Sequence, residues 1–172
     1  MEKNLLLVCV SVFFAACATT GKVSGGPDWT MKGSGAFSSG GDKAFYGVGL
    51  AASTIKDESL RREAADNRAR ADLQKVFSTY SGSLMKDYSG SDGELVERVV
   101  KTWQNGSVAG VQVIDRYQRD DGMIYSLVKL DLNQFKKFLE MEKGLNAEAR
   151  EFLREKSDAM FEELAKEEKN RR

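Results

Sequence analysis

Two runs rich in Val, Ile, Tyr and Leu, from Val108 to Arg119 and from Met123 to Leu132, flank Asp120, Asp121 and Gly122. An Asp-Gly turn between two such runs is the strongest short-range signal for a β-hairpin, so the fold must be built around an antiparallel pair. With Asp121 and Gly122 as a two-residue loop, Asp120 pairs with Met123 and every later pair follows. One face then collects Val111, Val113, Asp115 and Tyr117 with Ser126, Val128, Leu130 and Leu132, and is expected to pack on helices. The other collects Gln112, Ile114, Arg116 and Gln118 with Tyr125, Leu127, Lys129 and Asp131. This second face is mixed and suits cover by another subunit or by N-terminal strands. Its Ile114, Arg116, Tyr125 and Leu127 are the candidate assembly surface.

Upstream, Met31 to Phe37 and Lys43 to Ala51 are expected to pair as two strands across Ser38 to Gly41. Gly47 and Gly49 in the second of these admit close approach of another backbone. A dinucleotide fingerprint would need a third glycine where Ala52 stands. A long helix follows, with Thr54 as its expected cap and Asp57 completing a capping box. Leu60, Ala64, Ala65, Ala69, Leu73, Val76, Phe77 and Tyr80 recur at helical period, and the alanines let this helix sit close on a sheet. Asp57, Glu58 and Asp66 stand four residues before Arg61, Arg62 and Arg70, a solvated salt-bridged face.

Ser81 to Gly93 reads as a break, and a second helix from Gly93 to Gln104 is expected to end at Asn105 and Gly106. Asn133 to Lys143 forms a short helix with Phe135, Phe138 and Leu139 inward, and Gly144 ends it. Asn146 then caps a last helix with Leu145, Ala149, Phe152, Leu153, Met160 and Leu164 on one stripe. That stripe fits docking on its own domain or pairing with another chain. Its basic end, Lys166, Lys169, Arg171 and Arg172, is interleaved with Glu167 and Glu168, which argues against a nucleic-acid arm. The fold class is α+β. A small antiparallel sheet of N-terminal strands and a C-terminal hairpin is packed by a long helix and shorter ones, with an extra C-terminal amphipathic helix.

The chain opens on an apolar run from Leu5 to Phe14, then Ala15, Ala16 and Cys17. About ten apolar residues fall short of the roughly twenty that span a bilayer, so 1–16 reads as a signal to be removed. Small residues before a cysteine are the layout of a bacterial lipoprotein signal, cut between Ala16 and Cys17, although Phe14 stands where Leu, Val or Ile is usual. An ordinary secretory signal cut near the same point is the other reading. On the first, Cys17 carries a diacylglycerol and an acyl chain, the only non-protein groups expected. Each buried methylene contributes about 0.8 kcal/mol, so several chains together hold a protein on a membrane without a spanning helix. Cys9 leaves with the signal, and no disulfide remains. In similar bacterial lipoproteins an Asp after the cysteine retains the protein at the inner membrane. Ala18 therefore points to the outer one, with the domain facing the periplasm. Residues 17–28 read as a flexible tether rich in Gly, Ser and Thr, 29–142 as the domain and 145–172 as the charged terminal helix.

Of 172 residues, 26 are Lys or Arg and 26 Asp or Glu, and none is His. The balance gives no field that would draw nucleic acid. Without histidine or a free cysteine, Cys/His nucleophile systems and ordinary zinc sites are excluded. No P-loop or serine elbow is present. An enzyme would have to work with carboxylates, lysines or hydroxyls, and no such cluster stands out. No small-molecule substrate is indicated.

Pro27 to Trp29, the strand Phe45 to Ala51 with its Tyr-Gly-Val-Gly core, and Arg61, Ala65, Ala69, Arg70 and Leu73 of the long helix together resemble the LPP-twenty lipoprotein family. The hairpin from Gly110 to Asp131 and Phe135 to Leu139 continue the pattern, so the resemblance covers residues 27 to about 140. It implies a small strand, helix and hairpin domain on the outer membrane. The family includes surface antigens and flagellar basal-structure lipoproteins that assemble into rings or discs. It brings no catalytic residues. The expected function is therefore a non-enzymatic, self-associating or scaffold component with a homo-oligomeric or envelope-protein partner. A periplasmic binding or regulatory module for peptidoglycan or a cell-wall synthase is the alternative.

Overall fold

The computed structural model describes residues 25–170 apart from 40, 89, 91 and 92, with the side chains of 39 and 107–110 outside the description. In chain order the elements are α1 (Asp28–Lys32), β1 (Gly35–Ser39), β2 (Asp42–Ala51), α2 (Glu58–Lys86), α3 (Gly93–Gly110), β3 (Gln112–Gln118), β4 (Ile124–Asp131), α4 (Leu132–Met141) and α5 (Ala147–Asn170). The strands form one antiparallel sheet in the order β1-β2-β4-β3, and the α+β class holds.

Phe45, Gly47, Gly49 and Ala51 of β2 stand opposite Leu130, Val128, Ser126 and Ile124 of β4, on the face that α2 covers. Gly47 and Gly49 lie directly against the α2 backbone. A Cβ at Gly49 would stand 2.0 Å from the Ala65 carbonyl oxygen, and one at Gly47 2.1 Å from that of Ala69. The two glycines and the two buried alanines therefore set the helix-to-sheet distance. Beside them the core is aromatic. Phe77 packs edge-on against Phe45 at 5.3 Å and lies 4.7 Å from Trp103 and 5.6 Å from Phe135.

The last helix docks on its own domain. Ala149, Leu153, Ser157, Phe161 and Leu164 are buried, and the Phe161 ring meets Phe45 at 5.3 Å. Tyr80 donates its hydroxyl to the Ser157 carbonyl at 3.2 Å, and burial pushes its phenol well above the ordinary value. Asn146 caps α5, accepting from the Ala149 amide at 2.8 Å.

Several expected boundaries move. The segment at 28–32 winds into one helical turn, so β1 starts at Gly35 rather than Met31. Asp57, not Thr54, caps α2, accepting from the Leu60 amide at 2.8 Å. Gly82 lies inside α2 and Gly106 inside α3. Burial of Phe77, Tyr80, Ser81 and Leu84 on one continuous stripe outweighs the roughly 1 kcal/mol that an interior glycine costs.

The hairpin register also changes. Gly122 (φ +83°) closes a three-residue loop, with its amide on the Arg119 carbonyl at 2.9 Å and the Arg119 amide on the Met123 carbonyl at 2.9 Å. Tyr117 thus pairs with Tyr125 and Arg116 with Ser126, one residue away from the expected pairing. A bulge at Ile114 shifts the register again. Val113 returns to the helix-facing side opposite Val128, while Asp115 and Tyr117 are turned to the outer face.

Candidate functional site

Buried ionic groups are the first place to look for chemistry. Asp66, on α2, accepts Nε of Arg116 at 2.9 Å on one oxygen and a terminal guanidinium nitrogen at 2.7 Å on the other. The wholly buried Ser126 hydroxyl donates to the first oxygen. Burial works against ionisation of Asp66. The bonds from Arg116 and Ser126, with the charges of Arg116 and Arg70, outweigh it and hold the carboxyl below its ordinary 3.8. Asp158 of α5, likewise opposed by burial, is held below 3.8 by Lys136 and Lys43. Both carboxylates join separate elements, α2 to the hairpin and α5 to β2 and α4. They are scaffold clasps.

The sign of their pH dependence follows. Both folded-state values lie below the unfolded one, so the stabilisation is complete above about pH 4 and is lost as pH falls below 3.8. The urea midpoint of the wild type is expected to drop steeply on acidification through that range, and that of Asp66→Asn to drop less. Asp66→Ala leaves the Ser126 hydroxyl buried without its acceptor and is expected to cost about 1–3 kcal/mol at neutral pH. A midpoint unchanged in Asp66→Ala would show that the clasp contributes nothing. Among the described residues no group of three or more Asp, Glu, Cys or His side chains is placed to hold a metal ion.

The outer face of the sheet carries Tyr46, Val48 and Leu50 of β2 with Tyr117, Tyr125 and Leu127 of the hairpin. The incoming chain straps it. Gly26 lies against the Tyr117 ring, Trp29 donates its indole N–H to Asp115 at 2.8 Å, and Lys32 sits over the Phe37 ring at 4.2 Å. The four candidate assembly residues do not share this face. Tyr125 lies on it beside Tyr117, and Leu127 lies on it buried, opposite Asp115. Ile114 is the bulged residue, 49% exposed, and Arg116, paired with Ser126, lies on the opposite, helix-facing side and reaches Asp66. The three-residue turn places Asp115 and Tyr117 on the outer face instead, and the bulge beyond them returns Val113 to the helix side. No periodicity in the sequence announces it. Ala16 and Cys17, the expected cleavage and lipidation residues, lie outside the described residues.

Together these features define a class: a small α+β domain of four antiparallel strands backed by one long helix, its buried charges spent on its own clasps. No helix among the described residues is long and apolar enough to cross a membrane. The chain belongs to the LPP20 lipoprotein family, whose model matches residues 27–131, from the residue before α1 to the end of β4. The family identifies it as a lipoprotein, and α4 and α5 lie beyond the matched stretch. Among curated proteins none matches the chain.

Proposed function

We propose that this chain is a non-enzymatic lipoprotein, held by acylated Cys17 on the outer membrane and facing the periplasm, whose domain serves as a self-associating or scaffold component of the envelope. Its membership of a lipoprotein family supports the anchor, as do the leader from Leu5 to Phe14 and the small residues before Cys17. The observation that carries the assembly part is the outer sheet face. Tyr46, Val48, Leu50, Tyr117 and Tyr125 remain partly exposed there, crossed among the described residues by the segment from Gly26 through α1. A contiguous aromatic and aliphatic surface of this kind marks a protein interaction site.

Membrane fractionation of the wild type and Cys17→Ala, with crosslinking of the wild type in intact envelopes, tests both parts. Most of the protein is expected to leave the outer-membrane fraction in the variant, and the wild type to give a ladder of self-crosslinked species. A single band with a foreign protein would favour a periplasmic binding module. Unchanged fractionation of Cys17→Ala would overturn the anchor.

A further inference from the structure

At the β1 edge of the sheet, a groove of about 410 Å³ runs between β1 and the last turns of α5. Ala36, Phe37 and Ala165 give it an apolar lining, and Lys32, Lys166 and Lys169 give it three ammonium groups. No ion pair among the described residues joins any of these lysines to an acid. Glu162, which also lines the groove, is taken by Lys43 at 2.9 Å, and Glu168, beside Gly35, has a partner of its own. The end of α5 is thus sorted by charge. Lys166 and Lys169 line the groove, whereas Glu163 and Glu167 line the cleft on the α2 side. Met31, adjacent to Lys32 on α1, is 86% exposed.

The chain outside the described residues says what can reach this groove. Gly25 stands eight residues after Cys17, about 28 Å at full extension. From there the chain passes Tyr117 on β3 and crosses to Lys32 over β1, a sheet width of about 14 Å. A tether of that reach keeps the groove within touch of the surface that holds the anchor. Lysines around an apolar lining, with an exposed methionine beside them, match an interface of anionic headgroups over acyl chain.

We propose that this groove seats the phosphate-bearing headgroups of anionic lipid, so that the domain lies down on the membrane that anchors it. This rests on the lipid-anchored reading above. The charges come from α1 and α5, far apart in sequence, and only the fold brings them together.

The test uses the mature chain from residue 17 with Cys17→Ser, which keeps every described residue and carries no lipid. It is co-sedimented at low salt with vesicles of phosphatidylglycerol in phosphatidylcholine and with vesicles of phosphatidylcholine alone. Binding to the anionic vesicles only is expected, weakening as salt rises. Each lysine near an anionic surface contributes about fivefold, so Lys32→Gln, Lys166→Gln and Lys169→Gln together are expected to lower affinity by on the order of a hundredfold. Met31→Ser is expected to lower it about threefold. Replacing Lys56, Lys137 and Lys143, all exposed and remote from the groove, by Gln is expected to leave binding in place.

Equal loss in the two triple variants would overturn the proposal, as would no binding to anionic vesicles. Preference for polyglutamate over vesicles would overturn it in favour of an acidic protein partner. Because the tested chain carries no acyl group, its failure would refute the groove while leaving acylation of Cys17 to be judged separately, from the mass of the membrane-extracted protein.

Discussion

Ending the chain at Gly144 is expected to abolish cooperative unfolding, although the residues removed lie wholly beyond the family match at 27–131. Without α5, the Phe45 ring loses Phe161, and the Tyr80 hydroxyl loses its Ser157 acceptor. Lys43 is also left without Asp158 and Glu162. The Phe161→Ala substitution alone is expected to cost about 3–5 kcal/mol, because the side chain is fully buried and packs edge-on against the buried Phe45 ring. That is a large fraction of the roughly 5–15 kcal/mol a domain has in total. Truncation removes Leu153 and Leu164 besides, and the product is expected to keep far-ultraviolet dichroism, lose near-ultraviolet dichroism and bind a hydrophobic dye. If the shortened chain unfolded at the full-length midpoint in urea, α5 would be an appendage rather than part of the core.

Gly49→Ala is the second substitution with a large expected cost, on the order of 3 kcal/mol or more. The sign is opposite to the usual one, since alanine in place of glycine in a strand ordinarily gains about 0.5–1 kcal/mol. Here the added Cβ would meet backbone, the Ala65 carbonyl at 2.0 Å and the Ala69 amide at 2.3 Å, and no rotamer change can relieve it. Lifting α2 by about 1 Å would forfeit a quarter to a half of each contact across the helix–sheet layer. Gly82→Ala is the internal control. Its Cβ would meet nothing within 4 Å on the exposed side of α2, and it is expected to gain about 1 kcal/mol. Chemical denaturation of both variants checks the pair. A Gly49→Ala protein as stable as the wild type would mean that the layer spacing is soft.

The features legible in the sequence were those written locally. The Asp-Gly hairpin, the alanine-rich helix, the two glycines beneath it and the Asn146 cap each depend on a few neighbouring residues. The misplaced features depend on partners elsewhere. Gly82 and Gly106 look like breakers, yet neighbouring turns of their helices are held by Phe77, Tyr80, Leu84 and Trp103 in the core. The three-residue loop, one longer than the Asp-Gly pair alone suggests, reverses which hairpin residues face α2, and the bulge at Ile114, with no glycine or proline to mark it, returns Val113 to that face. A five-residue helix is too short for any periodic pattern, so α1 read as strand and tether. At the end of α5, Lys166 and Lys169 look diluted by Glu167 and Glu168 along the chain. A three-residue spacing places the lysines on one helical face, and that signal was available.

The pairing of Phe45 with Leu130, and its burial under Phe161, have a consequence for when this domain can form. Its central strand finds its principal neighbour only after the hairpin has been delivered, and its lid only after the last helix has. Closing such long loops before any reward is slow compared with local helix formation. On the lipid-anchored function proposed above, the chain threads through a membrane before it folds, and this delay suits that passage. While its C-terminal segments are still in transit, β2 has only β1 and α2 beside it, with Phe45 still lacking both Leu130 and Phe161.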